Sequence, residues 1–132
     1  MANPLAAYQQ YEHFRVTAAG EHVAHVEINR PAKLNAFYED MWLEFARVFD
    51  QLSSDSEVRA VVLSGAGDRA FTAGLDVQAA SQNTTLMGGE GADAARKAAG
   101  IRRHIGEFQD SISAMERCEK REFTAFQVIP AF

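Results

Sequence analysis

The sequence lacks the features of several broad classes of protein. It has one cysteine, Cys118, in 132 residues, so it cannot form an internal disulfide. No apolar run approaches the roughly 20 residues that span a bilayer, so we expect no membrane segment. Basic residues are fewer than acidic ones, 13 against 18, which gives a net charge of −5. We therefore expect no nucleic-acid partner, because phosphate binding depends on clustered lysine and arginine.

From the residues at its two ends, we expect no targeting signal in this chain. The first residues, MANPLAAYQQYEHF, contain no lysine or arginine and no long apolar core, which argues against a secretory signal. Glu12 and the absence of any arginine before Arg15 argue against a mitochondrial presequence. The last residues, VIPAF, do not match a peroxisomal Ser-Lys-Leu type of tail.

What the sequence does contain predicts an α/β fold. Residues 11–17 and 22–29 are rich in aromatic and β-branched residues and predict two strands of a hairpin, joined by a turn at residues 18–20. Apolar residues then recur at helical spacing over residues 37–52. Asn35 is the predicted N-cap of that helix.

A second strand-forming region follows this helix. The run VRAVVL, residues 58–63, is continuously apolar and predicts a strand buried in a parallel sheet, reached by a crossover connection. We expect a short helix at residues 76–81 and a glycine-rich segment without periodicity at residues 82–93. A long helix then carries one apolar stripe, formed by Ile101, Ile105, Phe108, Ile112 and Met115.

The loop SGAGDRAFTAGLDV, residues 64–77, is the candidate functional segment. Its GAGDRA part fits the dinucleotide-binding pattern G-x-G-x-x-A, but no long helix follows at once and the preceding strand is not the first. A second interpretation is a structural turn in which Gly65 and Gly67 supply positive φ. A third is an oxyanion site, in which a backbone N–H left free at the start of a helix, that of Leu75, binds a developing negative charge.

Two blocks of the sequence resemble one known family. NRPAKLNA, residues 29–36, and SGAGDRAFTAGLDV are similar, in this order and separation, to the N-terminal part of the crotonase superfamily, the enoyl-CoA hydratase/isomerase family. Within it, FTAGLD at residues 71–76 most resembles the F-T-S-G-I-D of Δ3,5-Δ2,4-dienoyl-CoA isomerases. The resemblance covers roughly residues 11–120 and implies the crotonase-like (ββα) spiral fold.

The resemblance also implies a substrate and a site. Members bind an acyl-CoA thioester and hold its oxygen with two backbone N–H groups as an enolate forms; loss of one such donor typically raises the barrier by about 3–4 kcal/mol. Carried over by motif position, the Leu75 N–H is the first donor. Residues that should border the acyl-CoA or lie near its CoA part are Lys33, Ala36, Ala73, Gly74, Leu75, Asp76 and Val77. No metal or redox cofactor is implied, and members form trimers and hexamers in peroxisomes or mitochondria.

The last twelve residues depart from the family pattern. Relatives continue after the segment that matches Lys120 with a further strand and a glycine-rich block, which holds the second donor, and then with acid/base carboxylates. We therefore expect residues 1–120 to be the N-terminal part of a crotonase-like domain and residues 121–132 a divergent tail with a short strand at 124–129. A truncated chain of this kind should be inactive. The alternatives are a fragment of an enoyl-CoA hydratase and a non-catalytic fragment that associates with full-length subunits.

Overall fold

The computed structural model describes residues 5–81 and 93–125. Within them, four strands form one mixed sheet in sequence order. The first pair is antiparallel and the next two pairs are parallel, which confirms the predicted hairpin and the parallel strand that follows the first helix. The strands are β1 (Phe14–Gly20), β2 (Val23–Ile28), β3 (Ala60–Gly65) and β4 (Arg121–Ala125).

The turn of the hairpin lies later than predicted. Ala18 and Gly20 remain in β1 across a register shift, so the chain reverses at residues 21–22 instead of 18–20. His22 adopts a left-handed φ of 59° there. The small residues that suggested a turn are tolerated because this end of β1 is exposed.

The described part of the chain also contains three α-helices, α1 (Glu39–Ser54), α2 (Val77–Ser81) and α3 (Ala94–Arg117), and two short 3-10 helices, Ala6–Tyr8 and Pro31–Lys33. The predicted N-cap of α1 is wrong: the cap position is Tyr38, and Asn35 lies in a left-handed conformation with φ of 58° before it. The first turn of α1 contains the acidic residues Glu39 and Asp40, which interact favourably with the positive end of the helix dipole. No described helix is both long enough and apolar enough to cross a bilayer.

The core lies between α1 and one face of the sheet. Alternate residues of β2 are buried, as their period of two predicts. The apolar positions predicted for the first helical segment are all buried, which confirms its periodicity; they are Phe37, Met41, Phe45, Val48, Phe49 and Leu52. Burying each such side chain contributes about 1.5–3 kcal/mol.

The other helix, α3, packs on α1 rather than on the sheet. The ring of Phe108 lies 4.5 Å from the ring of Trp42, centroid to centroid. The predicted apolar stripe is only partly covered, since Ile101 and Ile105 are 37% and 45% exposed. The fully buried positions of α3 are His104, Ser111 and Ala114, so the face toward α1 is offset from the stripe.

The structure also corrects the predicted final strand. β4 begins at Arg121, three residues before the predicted start at residue 124, and pairs in parallel with β3 from Ala60 onward. The first five residues of the expected divergent tail thus belong to the same sheet as the rest of the chain. Residues 126–132, and nearly all of the glycine-rich segment at 82–93, lie outside the described residues.

Candidate functional site

An apolar cavity of about 760 Å³ lies between the sheet, α1, α3 and the segment that precedes α2. Its volume is within the range of ligand pockets, which is roughly 300–1,000 Å³. Aromatic and aliphatic side chains form most of its wall, and no residue in this described lining is ionisable. The lining comprises Ile28, Phe37, Phe45, Leu63, Phe71, Thr72, Gly74, Leu75, Phe108, Gln109, Ile112, Ser113, Met115 and Thr124.

Glycines shape the loop that reaches this cavity from the end of β3. A Cβ on Gly65 would lie 2.3 Å from the carbonyl oxygen of Phe71, so only glycine allows the two backbone segments to approach. The prediction that Gly65 supplies positive φ is wrong, because its φ is not positive; this close approach is what requires glycine there. Gly67 and Gly74 do have positive φ, at 83° and 91°.

Asn35 holds this loop against the turn that precedes α1. Its side chain is 1% exposed. The amide nitrogen donates to the carbonyl oxygens of Ala66 and Ala70, each at 2.9 Å, and the amide oxygen accepts from the Arg30 N–H at 2.9 Å. The Asn35 carbonyl also accepts from the Thr72 hydroxyl at 2.7 Å. One buried residue thus ties both ends of the loop to one turn.

Leu75, in the segment that follows this loop, forms a single parallel β-bridge with Phe37. The Phe37 N–H donates to the Gly74 carbonyl and the Asp76 N–H donates to the Phe37 carbonyl, both at 2.7 Å. In a parallel bridge of this kind, the middle residue turns its own N–H away from the partner. The Leu75 N–H accordingly has no acceptor among residues 5–81 and 93–125.

The structure therefore gives a different origin for the free donor than the sequence suggested. Leu75 lies two residues before α2, so its N–H is not one of the unpaired groups of a helix start. It is free because the bridge to Phe37 uses the groups on either side of it. Leu75 is 44% exposed and lines the cavity, so a free backbone donor belongs to a residue at the cavity rim.

Asp76 caps α2 and has a second partner. Its Oδ1 accepts from the Ala79 N–H at 3.0 Å, and its Oδ2 accepts from Arg30 Nη1 at 2.8 Å. The Ala79 N–H first, and then the hydrogen bond from Arg30, hold the pKa of Asp76 below its ordinary value, and the charge of Lys33 adds to the effect. The carboxylate is thus ionised and engaged, which does not suit a general base.

The remaining predicted site residues lie on both sides of the bridge. Ala36 is buried beside Phe37, and its carbonyl accepts from Arg30 Nη1 at 2.9 Å. Lys33 ends an exposed 3-10 helix, Pro31–Lys33, so its ammonium group is accessible. Ala73 and Val77 are exposed on either side of Gly74 and Leu75. The fold thus brings the two sequence blocks, residues 29–36 and 64–77, into direct contact across the 27 residues that separate them.

Sequence reasoning missed Arg30, Asn35 and Tyr38 as residues of the site. Arg30 contacts the Ala36 carbonyl, the Asp76 carboxylate and the face of the Tyr38 ring, 4.5 Å from its centroid. The only signal in the sequence is that Arg30 and Asn35 lie within the block NRPAKLNA. A residue 46 positions from its acid partner gives no periodic signal.

The two histidines of the hairpin do not form a metal site. His22 Nδ1 pairs with the Glu57 carbonyl, and His25 Nε2 pairs with the Ser64 hydroxyl. No group of three metal-binding side chains occurs among the residues that the structure describes. The two rings have separate partners, one in the turn before β3 and one on β3.

Comparisons with known proteins agree with this geometry. Residues 18–101 match the family model described as enoyl-CoA hydratase/isomerase. The mitochondrial Δ3,5-Δ2,4-dienoyl-CoA isomerase of Mus musculus is 43% identical over 110 residues, 83% of this chain and 33% of that protein. The peroxisomal Δ3,5-Δ2,4-dienoyl-CoA isomerase of Arabidopsis thaliana is 37% identical over 98 residues, 74% of this chain and 34% of that protein.

A solved structure extends the agreement to the fold. The enoyl-CoA hydratase/isomerase of Xanthobacter autotrophicus Py2 superposes with a TM-score of 0.74 at 24% identity, covering 89% of this chain and 39% of that one. The chain spans about a third of the length of the curated relatives it matches. Its fold is the N-terminal part of the crotonase-like α/β fold. The chain belongs to the enoyl-CoA hydratase/isomerase family, within the crotonase superfamily.

Proposed function

We propose that the described residues form the acyl-CoA-binding part of a dienoyl-CoA isomerase-like protein of fatty-acid β-oxidation. The Leu75 N–H holds the thioester oxygen, and the apolar cavity takes the acyl chain. Lys33 and Ala36 lie near the CoA, and residues 73–77 border the thioester. One observation carries the proposal: the Leu75 N–H, which has no acceptor in the described part of the chain, belongs to a residue on the rim of an apolar cavity.

The chemistry of this site is stabilisation of an enolate. Removing a proton next to a thioester places negative charge on the thioester oxygen, and a fixed backbone N–H stabilises that charge most strongly where water is excluded. The aromatic wall, including Phe37, Phe45 and Phe71, provides such surroundings. A proton shift of this kind proceeds without a metal or a redox cofactor.

We expect little or no turnover from the 132-residue chain alone. Moving a double bond requires a base at one carbon and an acid at another. The described lining of the cavity contains no carboxylate, imidazole, amine or thiol, and Asp76 is engaged by Ala79 and Arg30. The described lining thus offers an apolar wall and one oxyanion donor, but no proton carrier.

Two other functions fit the same site. An enoyl-CoA hydratase uses the same oxyanion chemistry on a 2-enoyl-CoA. The relatives reported above favour the isomerase, and they are named for the mitochondrion or the peroxisome, where we propose that this protein acts. A non-catalytic chain that associates with full-length subunits would form mixed oligomers without turnover, and these would be detected by light scattering.

The test compares two ligands that differ only at the reacting group. Octanoyl-CoA has a thioester carbonyl, whereas octyl-CoA, a thioether, has none. One hydrogen bond contributes about 0.5–1.5 kcal/mol net, so the thioester should bind roughly 2- to 10-fold more tightly by titration calorimetry. A bound ligand should also raise the melting temperature of the chain. Failure of both ligands to bind would refute the proposal.

Two variants then assign the preference to the backbone of Leu75. Leu75→Pro removes the N–H but no intramolecular hydrogen bond of the described chain, because the bridge to Phe37 uses Gly74 and Asp76. It should abolish the thioester preference. Leu75→Ala keeps the N–H and removes only side-chain atoms that line the cavity, so it should retain the preference for the thioester. Equal preference in both variants would mean that another group holds the oxygen.

A further inference from the structure

Arg30 joins the two segments that create the free Leu75 N–H. A single atom, Arg30 Nη1, donates to the Ala36 carbonyl at 2.9 Å and to Asp76 Oδ2 at 2.8 Å. Ala36 precedes Phe37, and Asp76 follows Leu75, so the guanidinium spans the bridge between Phe37 and Leu75. The backbone bridge and the contacts of Arg30 thus hold the same two segments together, the one around Phe37 and the one around Leu75.

The guanidinium itself is held in place. It stacks 4.5 Å from the Tyr38 ring centroid, and the Tyr38 hydroxyl pairs with His13 Nε2 at 2.6 Å. The side chains of Arg30 and Asp76 are only 21% and 12% exposed, so water screens the pair less than it screens a surface ion pair. Because the guanidinium is planar and its donors are fixed relative to one another, it can hold its partners in one orientation, which the freely rotating ammonium group of a lysine cannot.

The Leu75 peptide needs such a constraint on both sides. Before it, Gly74 has φ of 91°, a conformation that a glycine can leave easily. After it, Asp76 is fixed through both carboxylate oxygens, one on the Ala79 N–H and one on Arg30. Without the Arg30 contact, the carboxylate would still cap α2, but nothing in its side chain would tie Asp76 to the Phe37 segment.

We infer that Arg30 is a positioning residue, which sets the direction of the Leu75 N–H through the carboxylate of Asp76. The inference rests on the proposed function of Leu75 and adds the element that makes its backbone a fixed donor. Arg30 does not touch the ligand in this account. Its effect is confined to how well the donor meets a thioester oxygen, so it alters discrimination between thioester and thioether more than overall affinity.

The test measures that discrimination in a set of variants of the 132-residue chain. Arg30→Met keeps the apolar stem and removes the donors, Arg30→Lys keeps the charge, and Asp76→Asn keeps an oxygen to cap Ala79. The control is Arg15→Met, since Arg15 is 61% exposed and has its acid partner, Glu27, at 3.7 Å on the sheet. Dissociation constants for octanoyl-CoA and octyl-CoA are measured for each.

The wild type and Arg15→Met should show the same thioester preference, roughly 2- to 10-fold. Arg30→Met and Asp76→Asn should each reduce the thioester preference toward 1, and Arg30→Lys should reduce it less. The double variant Arg30→Met/Asp76→Asn should show the same preference as the single variants, because both substitutions remove one and the same contact. A preference retained in Arg30→Met and Asp76→Asn would overturn the role of Arg30 and leave that of Leu75 intact. A wild-type ratio of 1 would overturn both.

A second measurement does not depend on ligand binding. In ¹H–¹⁵N spectra of the free chain, Arg30→Lys and Asp76→Asn should shift and broaden the Leu75 amide signal, because the peptide samples more orientations. The amides of β1 and β2 should be unchanged, which also shows that the variants fold. An unchanged Leu75 signal in both variants would overturn the inference.

Discussion

Replacing Asn35 tests whether the turn before α1 holds the loop at the site. Asn35→Ala removes three side-chain hydrogen bonds, to Arg30, Ala66 and Ala70, at a position that is 1% exposed. At a net 0.5–1.5 kcal/mol for each bond, the free energy of unfolding should fall by about 3 kcal/mol. For a domain of this size, that corresponds to a fall in melting temperature of about 10–15 °C.

A second substitution at the same position separates the donors from the acceptor. Asn35→Asp keeps an oxygen for the Arg30 N–H but turns a carboxylate toward the carbonyls of Ala66 and Ala70, so the loss should be at least as large as for Asn35→Ala. The control is Leu34→Ala, in the same left-handed turn with φ of 54° but 37% exposed, which should cost less than about 1 kcal/mol.

The assay is urea unfolding followed by the fluorescence of Trp42, the only tryptophan in the sequence. It is 4% exposed between α1 and α3, so its emission should report unfolding of the packed helices. A loss below about 1 kcal/mol in Asn35→Ala, or equal losses in Asn35→Ala and Leu34→Ala, would refute the reasoning. Such a result would mean that the loop keeps its place without the side chain of Asn35.

Four further substitutions, at Gly65, Gly106, His104 and Asp76, test other parts of the structure. Gly65→Ala should lower the free energy of unfolding by about 2 kcal/mol or more, because the added Cβ would meet the Phe71 carbonyl. In the same urea assay, Gly106→Ala should raise the free energy of unfolding by about 0.5–1 kcal/mol, because Gly106 lies in α3 with open space around it. His104→Leu should stabilise the chain by about 1–2 kcal/mol, because both ring nitrogens are buried without a hydrogen-bond partner in the described structure; a loss of stability would contradict this. The Ala79 N–H and Arg30 hold the pKa of Asp76 below its ordinary value of 3.8, so its contribution to stability is present above that pH and is lost as the pH falls through the lower, folded-state value. The melting temperatures of wild type and Asp76→Asn should therefore differ at pH 6, and the difference should shrink as the pH is lowered below 3.8; a constant difference would show that the carboxylate charge is not involved.

The parts of the fold with a regular period could be predicted from the sequence. The alternation in β2 and the helical spacing from Met41 to Leu52 placed the core correctly, because burial of a face leaves a repeating apolar pattern. The order of the two strands and the intervening helix then implied the parallel pairing of β2 with β3. Errors occurred where the period gave no information, as at the turn of the hairpin.

The contacts at the site could be predicted only in part. The motif points to Leu75 as a backbone donor. The reason that its N–H has no acceptor among the described residues is the bridge to Phe37, which lies 38 residues earlier. The residue type of Asn35 predicts a helix cap, because Asn is common at that position. Asn also tolerates a left-handed φ, however, and here its side chain binds a distant loop. Local residue type does not distinguish these roles.

The stripe on α3 shows the same limit for packing. The spacing of Ile101, Ile105 and Phe108 indicates an apolar face, but it does not say what covers that face. In the structure, α1 contacts α3 through Phe108 of the stripe and through His104 beside it, and Ile101 and Ile105 stay partly exposed. A polar histidine at a fully buried position could not be expected from periodicity.

The central claim is that the Leu75 N–H donates to a thioester oxygen. The most direct measurement is the chemical shift of the Leu75 amide proton in ¹⁵N-labelled chain during titration with octanoyl-CoA and, separately, with octyl-CoA. The account predicts a downfield shift that saturates with the thioester and is absent or much smaller with the thioether, while residues lining the cavity respond to both. Equal shifts with the two ligands, or no shift of Leu75 while the cavity residues respond, would contradict it.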